Sequence, residues 1–414
     1  MRNYHILYDL QLSSVDKEGN FVLEKDSNVN FATKLIKYIK EYFPDKYTFS
    51  MIVPYRNNDL ELFKYAESII VPEYYTNKVF SSRYNWNVDD INEKLKDTLH
   101  KCDIIWTNNP TLVNNWKTLL NELKLDKVKI ISYNHWIDSD LYPKISHKIP
   151  YFIRQCEGSL LADLQLCNSK EGVKQITNVT KKFFKLNELK KIGIELCIDF
   201  LPPIIDILEI ISYYQDKNVE KEIKILYNHR LSSLGYYNDA LNRFLHVLSR
   251  LYQNSSIKNI SVVFTDPSNK INVNNIDIFL KNCIDAAPYH YSVKNLDRKE
   301  YLKELWDSDI CVSTFYDNGG CWSMSLAEAM IANNAIVIFD CNAYKEMVPK
   351  DFKYKVKNEE EFFIKLMEII VNVDKRNYNN LVSKKYYVNN YYPKIIIDKF
   401  DYLVERIFEG DQDV

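Results

Sequence analysis

The chain has 414 residues, of which 46% are hydrophobic and 27% are charged. These values are typical of a globular protein, and they exclude a disordered, collagen-like or coiled-coil chain as a description of the whole. At roughly 100–200 residues per domain, the length predicts about two or three domains. The formal net charge is −2, so contact with nucleic acid or with a membrane requires a local basic surface.

Targeting and metal-binding signals are weak in this sequence. The N-terminal stretch MRNYHILYDL lacks the apolar run of a signal peptide, and no run of about 18 apolar residues predicts a membrane-spanning helix. None of the eight cysteines belongs to a C-x-x-C pair, so neither a zinc site nor a disulfide framework is indicated. We therefore expect a cytoplasmic protein without stable membrane insertion, and the sequence leaves its oligomeric state open.

The first half of the chain alternates short apolar runs with longer amphipathic segments. Apolar residues at helical spacing predict a helix over 29–43, and another helix is predicted to begin near Lys170. This alternation predicts parallel strands that are joined by right-handed crossovers. The predicted strands are 4–10, 48–54, 103–108, 128–136 and 163–169.

The second half begins a new strand–helix series after a Pro-Pro pair and a polar stretch. We predict two doubly wound, Rossmann-like α/β domains that face each other across a cleft, where ligands should meet residues that follow strands. The N-terminal domain is predicted over 1–200, a linker over 201–221 and the C-terminal domain over 222–392, followed by a helix and tail that pack back over 393–414. The predicted strands are 222–230, 260–266, 309–315 and 335–340, and the predicted helices lie near 238–252, 321–332 and 393–409.

The segment STFYDNGGCWSMSLAEAM carries the strongest candidate chemistry. A predicted strand is followed by the only Gly-Gly pair of the chain, Gly319 and Gly320, and then by the helix that holds Glu328. Glycines allow close backbone approach, and a helix start offers unpaired N–H groups to an anion. The next strand leads to a loop with Glu346. On its own, the pattern fits a turn and a buried helix equally well.

This segment resembles the second-domain pattern of GT-B glycosyltransferases, in particular the retaining family-four type. The likeness lies in the Glu-Ala-Met helix at Glu328, the strand over 335–340 and the further glutamate at 346. The stretch 290–315 also resembles the loop, helix and strand that precede the motif in this family. The resemblance covers roughly residues 220–350 well and the first domain weakly. It implies that the C-terminal domain binds a nucleoside-diphosphate-sugar donor, that the N-terminal domain forms the acceptor side, and that there is no resident cofactor.

The resemblance also implies roles for individual residues. Glu328 would bind the ribose hydroxyls of the donor, which suits a carboxylate because it accepts several hydrogen bonds. Arg230 would bind the diphosphate through its fixed charge and fork geometry. The predicted donor-binding residues are Arg230, Lys294, Gly319, Gly320, Cys321, Glu328 and Glu346.

Two departures from the family pattern concern charged positions. The first carboxylate of the pattern would fall at Gly320, and the nearest acid is Asp317, which we take as the catalytic carboxylate. The phosphate-binding lysine of the pattern would fall at Gly235. More of the phosphate charge is therefore expected to fall on Arg230, the helix start and Lys294.

His135 is the candidate in the first domain. It follows a predicted strand, and the resembled family places a histidine at such a strand end near the donor sugar or the reacting centre. A histidine titrates near neutrality, so it could also deprotonate an acceptor hydroxyl; the alternative is a structural histidine in a turn. The predicted catalytic residues are thus His135 and Asp317. The long polar stretch 11–31 is expected to form an acceptor-side loop.

Two Asp-x-Asp strings, at 138–140 and 307–309, also fit a metal-dependent glycosyltransferase. Strings of this size arise by chance in a chain with 56 acidic residues. We expect a metal-independent enzyme in which arginine and the helix dipole neutralise the leaving diphosphate.

A weaker resemblance concerns the acceptor. The segments NHR and NHW-ID and the R-Q-x-E-G stretch are similar to bacteriophage-type glycosyltransferases that decorate modified DNA bases. This implies a hydroxymethylated DNA base as acceptor, in the cytoplasm of a bacterium or of a virus-infected host cell. The basic run over 179–191 suits contact with phosphates and bases, or is a solvated helix face.

The expected function is transfer of a hexose from a UDP-glucose-like donor to a hydroxyl acceptor, with retention at the anomeric carbon. Three alternatives stay open. The acceptor can be a glycan or a lipid, the protein can be a nucleotide-sugar epimerase with the same two-domain architecture, or it can bind nucleotide sugars without catalysis.

Overall fold

Two parallel sheets, of seven and six strands, form the framework of the computed structural model. The chain divides into two compact units: the first holds the described residues of Met1–Ile204 and Pro393–Val414, and the second those of Ile205–Asn318 and Trp322–Tyr392. The structure describes residues 2–10, 12, 20–23, 26–71, 88–135, 149–215, 222–229, 231, 235–253, 260–265, 290–316 and 322–409.

The first unit contains the seven-stranded sheet, in the order β3-β2-β1-β4-β5-β6-β7. All of its strand pairs are parallel, and the central strands are apolar because helices cover both faces of such a sheet. The strands are Tyr4–Asp9 (β1), Tyr47–Val53 (β2), Glu67–Ile70 (β3), Ile104–Thr107 (β4), Lys129–Asn134 (β5), Leu164–Cys167 (β6) and Ile198–Phe200 (β7).

Two helices of the first unit begin at capping side chains, Asp26 and Ser169. Asp26 accepts a hydrogen bond from the backbone N–H of Asn28 and caps the first helix. Gly158 has no room for a side chain, because a Cβ there would lie 1.8 Å from the carbonyl oxygen of Pro110. The helices are Ser27–Tyr42 (α1), Val88–Leu99 (α2), Val113–Glu122 (α3), Ile149–Leu161 (α4), Lys170–Phe183 (α5) and Leu186–Lys191 (α6).

The second unit contains the six-stranded sheet, in the order β10-β9-β8-β11-β12-β13, again with parallel pairs throughout. The strands are Ile223–Tyr227 (β8), Ile260–Thr265 (β9), His290–Lys294 (β10), Ile310–Ser313 (β11), Ala335–Phe339 (β12) and Lys355–Val356 (β13). The helices are Ile207–Ser212 (α7), Gly235–Gln253 (α8), Arg298–Asp307 (α9), Met324–Ile331 (α10), Glu359–Val371 (α11) and Val373–Tyr391 (α12). The stretch 201–221, expected to be a linker, thus contains α7.

The final helix, Pro393–Glu409 (α13), returns to the first unit. Phe400 packs on Tyr47, with ring centroids 5.4 Å apart. The Lys46 ammonium, whose side chain is 7% exposed, lies 2.5 Å from an oxygen of Asp401 and 2.6 Å from an oxygen of Glu405. The two parallel sheets confirm the predicted fold class of two doubly wound α/β domains. The contacts of α13 confirm that the C-terminal helix packs back.

A segment at the edge of the six-stranded sheet differs from the sequence expectation. Residues 290–294 were expected to be a loop but form β10, which pairs in parallel with β9 at the edge of the sheet. An edge strand is covered less completely than a central one, so its mixed polarity hides it from an apolar-run criterion. None of the helices among the described residues is long and apolar enough to cross a membrane.

Candidate active site

The carboxyl-terminal edge of the six-stranded sheet brings together the residues that follow β8 and β11. These neighbouring strands are parallel, with Cys311 opposite Leu226, so the chain leaves both at the same edge. Asn228 and His229 follow β8, and Thr314 follows β11. Ligands of doubly wound sheets bind at this edge.

Asn228 ties β8 to two helices. Its Nδ2 donates hydrogen bonds to Oη of Tyr301 and to the carbonyl oxygen of Ser325, both at 3.0 Å. Its Oδ1 accepts a hydrogen bond from Sγ of Cys311 at 3.3 Å. Because this side chain is buried and bonded on both ends, it fixes the end of β8 against the first turn of α10.

His229 is a buried histidine beside Asn228. Its ring meets those of Phe315 and Tyr227 edge-on, with centroids 4.8 and 5.2 Å away. Its Nδ1 lies 3.4 Å from Oγ of Ser325, whereas its buried Nε2 has no hydrogen-bond partner within the described part of the chain. Burial lowers the pKa of His229 to about 4, so the ring is neutral at pH 7. The sequence reasoning used the NHR segment but did not select this histidine.

The helix α10 starts next to His229. Ser323 caps it, because its Oγ accepts a hydrogen bond from the N–H of Leu326 at 3.3 Å. The other N–H groups of a first turn lack partners within the helix and attract anions. Five predicted site residues in or before this region lie outside the described residues: Arg230, Asp317, Gly319, Gly320 and Cys321.

Glu328 lies on α10 and is 5% exposed. Its Oε1 is 2.8 Å from Nη1 of Arg298, the first residue of α9. The same guanidinium donates from Nε and Nη2 to the two carboxylate oxygens of Glu209 on α7, at 3.0 and 2.8 Å. Arg298 therefore links three helices, and it compensates the charge of the buried carboxylate. That Glu328 binds a donor ribose stays a prediction.

Arg298 stays positively charged next to these two carboxylates. Burial alone would lower the pKa of Arg298, but the carboxylates of Glu328 and Glu209 outweigh burial and raise it above its ordinary value. Burial, followed by the charge of Glu328, raises the pKa of the neighbouring Tyr301. The site thus holds a carboxylate, a guanidinium and a neutral phenol, and a carboxylate can accept several hydrogen bonds at once.

Lys294, predicted to bind phosphate, ends β10 and pairs with a glutamate. Its Nζ lies 2.6 Å from Oε2 of Glu304, whose Oε1 lies 3.1 Å from Nζ of Lys224. Glu304 thus bridges two lysines and is itself buried. A phosphate contact of Lys294 would have to compete with this ion pair, and the assignment stays a prediction.

Glu346 ends the short 3₁₀ segment Asn342–Glu346 that follows β12. Its carbonyl oxygen accepts a hydrogen bond from Oη of Tyr391 at 2.8 Å. Burial raises the pKa of this tyrosine, so the phenol stays protonated and donates. The bond holds the backbone of the predicted donor residue, and the role of its side chain stays a prediction.

His135 follows β5 in the first unit, as predicted from the sequence. Its ring meets those of Phe31 and Tyr133, with centroids 4.6 and 4.7 Å away, and its carbonyl oxygen accepts a hydrogen bond from Nδ2 of Asn168 at 2.7 Å. Burial lowers its pKa to about 3. The expectation that His135 titrates near neutrality was therefore wrong, because burial disfavours the charged ring.

The two buried histidines make stability depend on pH. Since the pKa of His229 is lowered to about 4 and that of His135 to about 3 from an ordinary 6.5, the unfolded chain binds more protons between these values. Their contribution to the free energy of unfolding is complete above pH 6.5. It decreases as the pH is lowered below 6.5, by up to about 1.4 kcal/mol per pH unit for each ring. In urea titrations, His229→Gln should flatten this decline. The control His246→Gln, at a side chain that is 62% exposed, should leave the decline unchanged. Equal slopes of unfolding free energy against pH in the parent and in both variants would contradict this account.

Asp9 is a buried acidic residue at the carboxyl end of β1 that the sequence reasoning did not select. It ends β1, it is fully buried, and its Oδ2 accepts hydrogen bonds from Oγ1 of Thr107 at 2.9 Å and Nε1 of Trp116 at 3.0 Å. Asn108 and Asn134 lie at the ends of the adjacent strands β4 and β5. The polar residues at the ends of these apolar runs were the sequence signal that could have identified the carboxyl-terminal edge of the seven-stranded sheet.

The second Asp-x-Asp string binds a lysine. The carboxylate of Asp307 pairs with Nζ of Lys224, and Oδ2 of Asp309 accepts a hydrogen bond from the backbone N–H of the same lysine at 3.0 Å. Among the described residues, no group of histidine, cysteine or acidic side chains is arranged to hold a metal ion. The string at 138–140 lies outside those residues.

Solved structures that are similar over the whole chain identify the fold. A glycosyltransferase from Rickettsia africae is 15% identical, with 99% of each chain covered and a TM-score of 0.66. Sucrose-phosphate synthase from Thermosynechococcus elongatus is 10% identical, with 99% of this chain and 100% of that chain covered and a TM-score of 0.68. HepE from Anabaena in complex with UDP-glucose is 12% identical, with 100% of both chains covered and a TM-score of 0.63.

No protein-family model matches the sequence, and no curated protein matches it. The likeness therefore rests on the fold. Like these glycosyltransferases, the chain has the GT-B fold, and the fold that the sequence resemblance implied is confirmed.

Proposed function

We propose that the protein is a glycosyltransferase that moves a hexose from a nucleoside-diphosphate sugar, UDP-glucose or a close analogue, to a hydroxyl acceptor. The GT-B fold over the whole chain, with Glu328 on the helix that follows β11, is the observation that carries the proposal. One similar structure is a complex with UDP-glucose, and another is a sucrose-phosphate synthase, which supports a sugar-nucleotide donor.

The second unit supplies the donor contacts in this proposal. Glu328 accepts hydrogen bonds from the ribose hydroxyls, and Arg230, the residue after His229, pairs with the diphosphate. The neutral Nε2 of His229 and the first-turn amides of α10 add hydrogen-bond donors. As the bond between the sugar and the diphosphate breaks, these groups stabilise the negative charge that develops on the leaving oxygen. Lys294, Glu346 and the segment Gly319–Cys321 complete the proposed donor set.

The first unit supplies the acceptor side. His135 is proposed to contact the sugar or the acceptor as a neutral hydrogen-bonding group, since its lowered pKa makes it a weak base.

Asp317 is proposed as the catalytic carboxylate. Retention requires that the acceptor oxygen bonds to the face of the anomeric carbon that the diphosphate leaves.

The acceptor class is a separate proposal. A hydroxymethylated base in DNA is one candidate, supported by the likeness of the NHR and NHW-ID segments to DNA-modifying phage enzymes. A glycan or lipid hydroxyl is the alternative. Incubation with radiolabelled UDP-glucose and each acceptor in turn separates them by where the label appears.

A thermal-shift panel of nucleotide sugars, followed by assays of UDP release with and without acceptors, tests the proposed function. We expect one nucleotide sugar to raise the melting temperature, and its turnover to require an acceptor. Conversion of the donor without an acceptor would favour an epimerase, and binding without any turnover would favour a binding protein. If no nucleotide sugar raises the melting temperature, the glycosyltransferase proposal is wrong.

Arg230→Lys is expected to reduce kcat/KM by about tenfold or more, because lysine keeps the charge but loses the two-point fork. Arg250→Lys is the matched control, since Arg250 pairs with Glu360, whose side chain is 61% exposed. Initial rates of UDP release measure both variants. Equal turnover in Arg230→Lys and the parent protein would argue against diphosphate contact.

Chelation should leave transfer intact. If arginine and helix dipole neutralise the diphosphate, UDP release in excess EDTA should equal the rate without EDTA. A loss of activity that manganese restores would show that a divalent ion takes part.

A further inference from the structure

One surface of the first unit is basic although the whole chain has a net charge of −2. We call residues 181–195, from the end of α5 through α6, the lysine-rich surface. Every charged side chain in this surface is exposed, and lysines outnumber glutamates by three. The lysines are Lys181, Lys182, Lys185, Lys190 and Lys191, and the glutamates are Glu188 and Glu195.

Two large apolar side chains stand among these lysines. Phe183 is 49% exposed and Ile192 is 71% exposed. The value for Ile192 is the highest of any large hydrophobic side chain in the part of the chain that the structure describes. The two side chains flank the six-residue helix α6, which is about 9 Å long at the usual rise, and they lie within one stretch of ten residues.

The turn after α6 places Ile192 outside the packing of the fold. Gly193 has φ of +82°, its N–H donates to the carbonyl of Lys190 at 3.1 Å, and the N–H of Ile194 donates to the carbonyl of Leu189 at 3.0 Å. This is a Schellman motif, in which the apolar contact joins the positions of Ile194 and Leu189. Ile192 caps the helix and takes no part in that contact, so a defined turn presents it to solvent.

We propose that the lysine-rich surface binds the surface of an anionic lipid membrane. Lysines are attracted to anionic head groups, and apolar side chains among them enter the boundary between head groups and acyl chains. Duplex DNA would use the lysines, but it could take up Ile192 only at the cost of unstacking a base step, because an aliphatic side chain does not stack on bases. The surface also contains no arginine, the residue that most often reads bases. The proposal stands independently of glycosyl transfer.

Co-sedimentation of the full-length protein with lipid vesicles tests the proposal. The protein should sediment with phosphatidylglycerol vesicles and not with phosphatidylcholine vesicles, and added sodium chloride should release it. Duplex DNA at equal charge concentration should bind more weakly than phosphatidylglycerol.

Paired variants separate the two contributions. Lys181→Glu with Lys182→Glu, and Phe183→Ser with Ile192→Ser, should each lower vesicle affinity by about tenfold or more. Controls at exposed positions of the second unit, Lys350→Glu with Lys353→Glu and Leu381→Ser, should bind like the parent. Unchanged melting temperatures would show that every variant is folded.

Several results would overturn the proposal: absence of binding to phosphatidylglycerol, equal binding by the surface variants and the parent, or tighter binding to DNA than to vesicles. Loss of binding in the lysine pair but not in the apolar pair would also overturn it, because the proposal requires that the apolar side chains enter the membrane.

Discussion

Arg298→Met is expected to lower the free energy of unfolding of the second unit by about 2–3 kcal/mol. The variant would leave the carboxylate of Glu328, which is 5% exposed, without the guanidinium that compensates its charge. It would also remove the fork to Glu209 that links α7 to α9. The estimate stays below that for a fully buried pair because the side chain of Arg298 is 39% exposed. Urea unfolding followed by circular dichroism measures the loss.

Two further variants identify the origin of the loss. Arg406→Met is the matched control, because the side chain of Arg406 is 40% exposed and its carboxylate partner, Asp199, is 4.0 Å away. We expect its free energy of unfolding to change by no more than about 0.5 kcal/mol. Arg298→Met combined with Glu328→Gln should be more stable than Arg298→Met alone, because the uncompensated charge is gone. A single variant as stable as the parent would contradict the role of the ion pair.

Glu328→Gln is expected to weaken binding of UDP-glucose by about tenfold to a hundredfold, the value of one or two hydrogen bonds to a charged group. The amide replaces an acceptor oxygen by an N–H donor, which cannot accept a ribose hydroxyl. Arg298 keeps its partner Glu209, so the variant should fold. Isothermal titration calorimetry measures the dissociation constant.

Glu360→Gln is the matched control, since this glutamate is 61% exposed and pairs with Arg250 on the surface. Its dissociation constant for UDP-glucose should equal that of the parent. An unchanged constant in Glu328→Gln would remove Glu328 from the donor site, whereas the same loss in both variants would point to a general effect of charge.

Central strands were predictable because both of their faces are covered. The run YHILYD gives β1, and AIVIF gives β12, with every residue of β12 buried. Edge and short strands were missed: β3 has exposed and half-buried residues, and β7 has three residues. Apolar runs report burial, so a strand that is only partly buried gives no such signal.

The places of Glu328 and His135 along the chain were predictable, but their contacts were not. Glu328 lies on the helix that the sequence placed after β11, yet its partner Arg298 precedes it by 30 residues, and only the fold brings the two side chains together. Lys294 was assigned to phosphate from its charge, but the structure pairs it with Glu304. His135 lies at the predicted strand end, and its pKa depends on the burial of its ring, which the sequence does not show.

Hydrogen–deuterium exchange with and without UDP-glucose tests most directly whether a nucleotide sugar binds at the carboxyl edge of the six-stranded sheet. The account predicts that the sugar nucleotide slows exchange in peptides that cover the end of β8 with Asn228 and His229, and the start of α10. Exchange that is unchanged in both regions, or slowed only in peptides of the first unit, would contradict it.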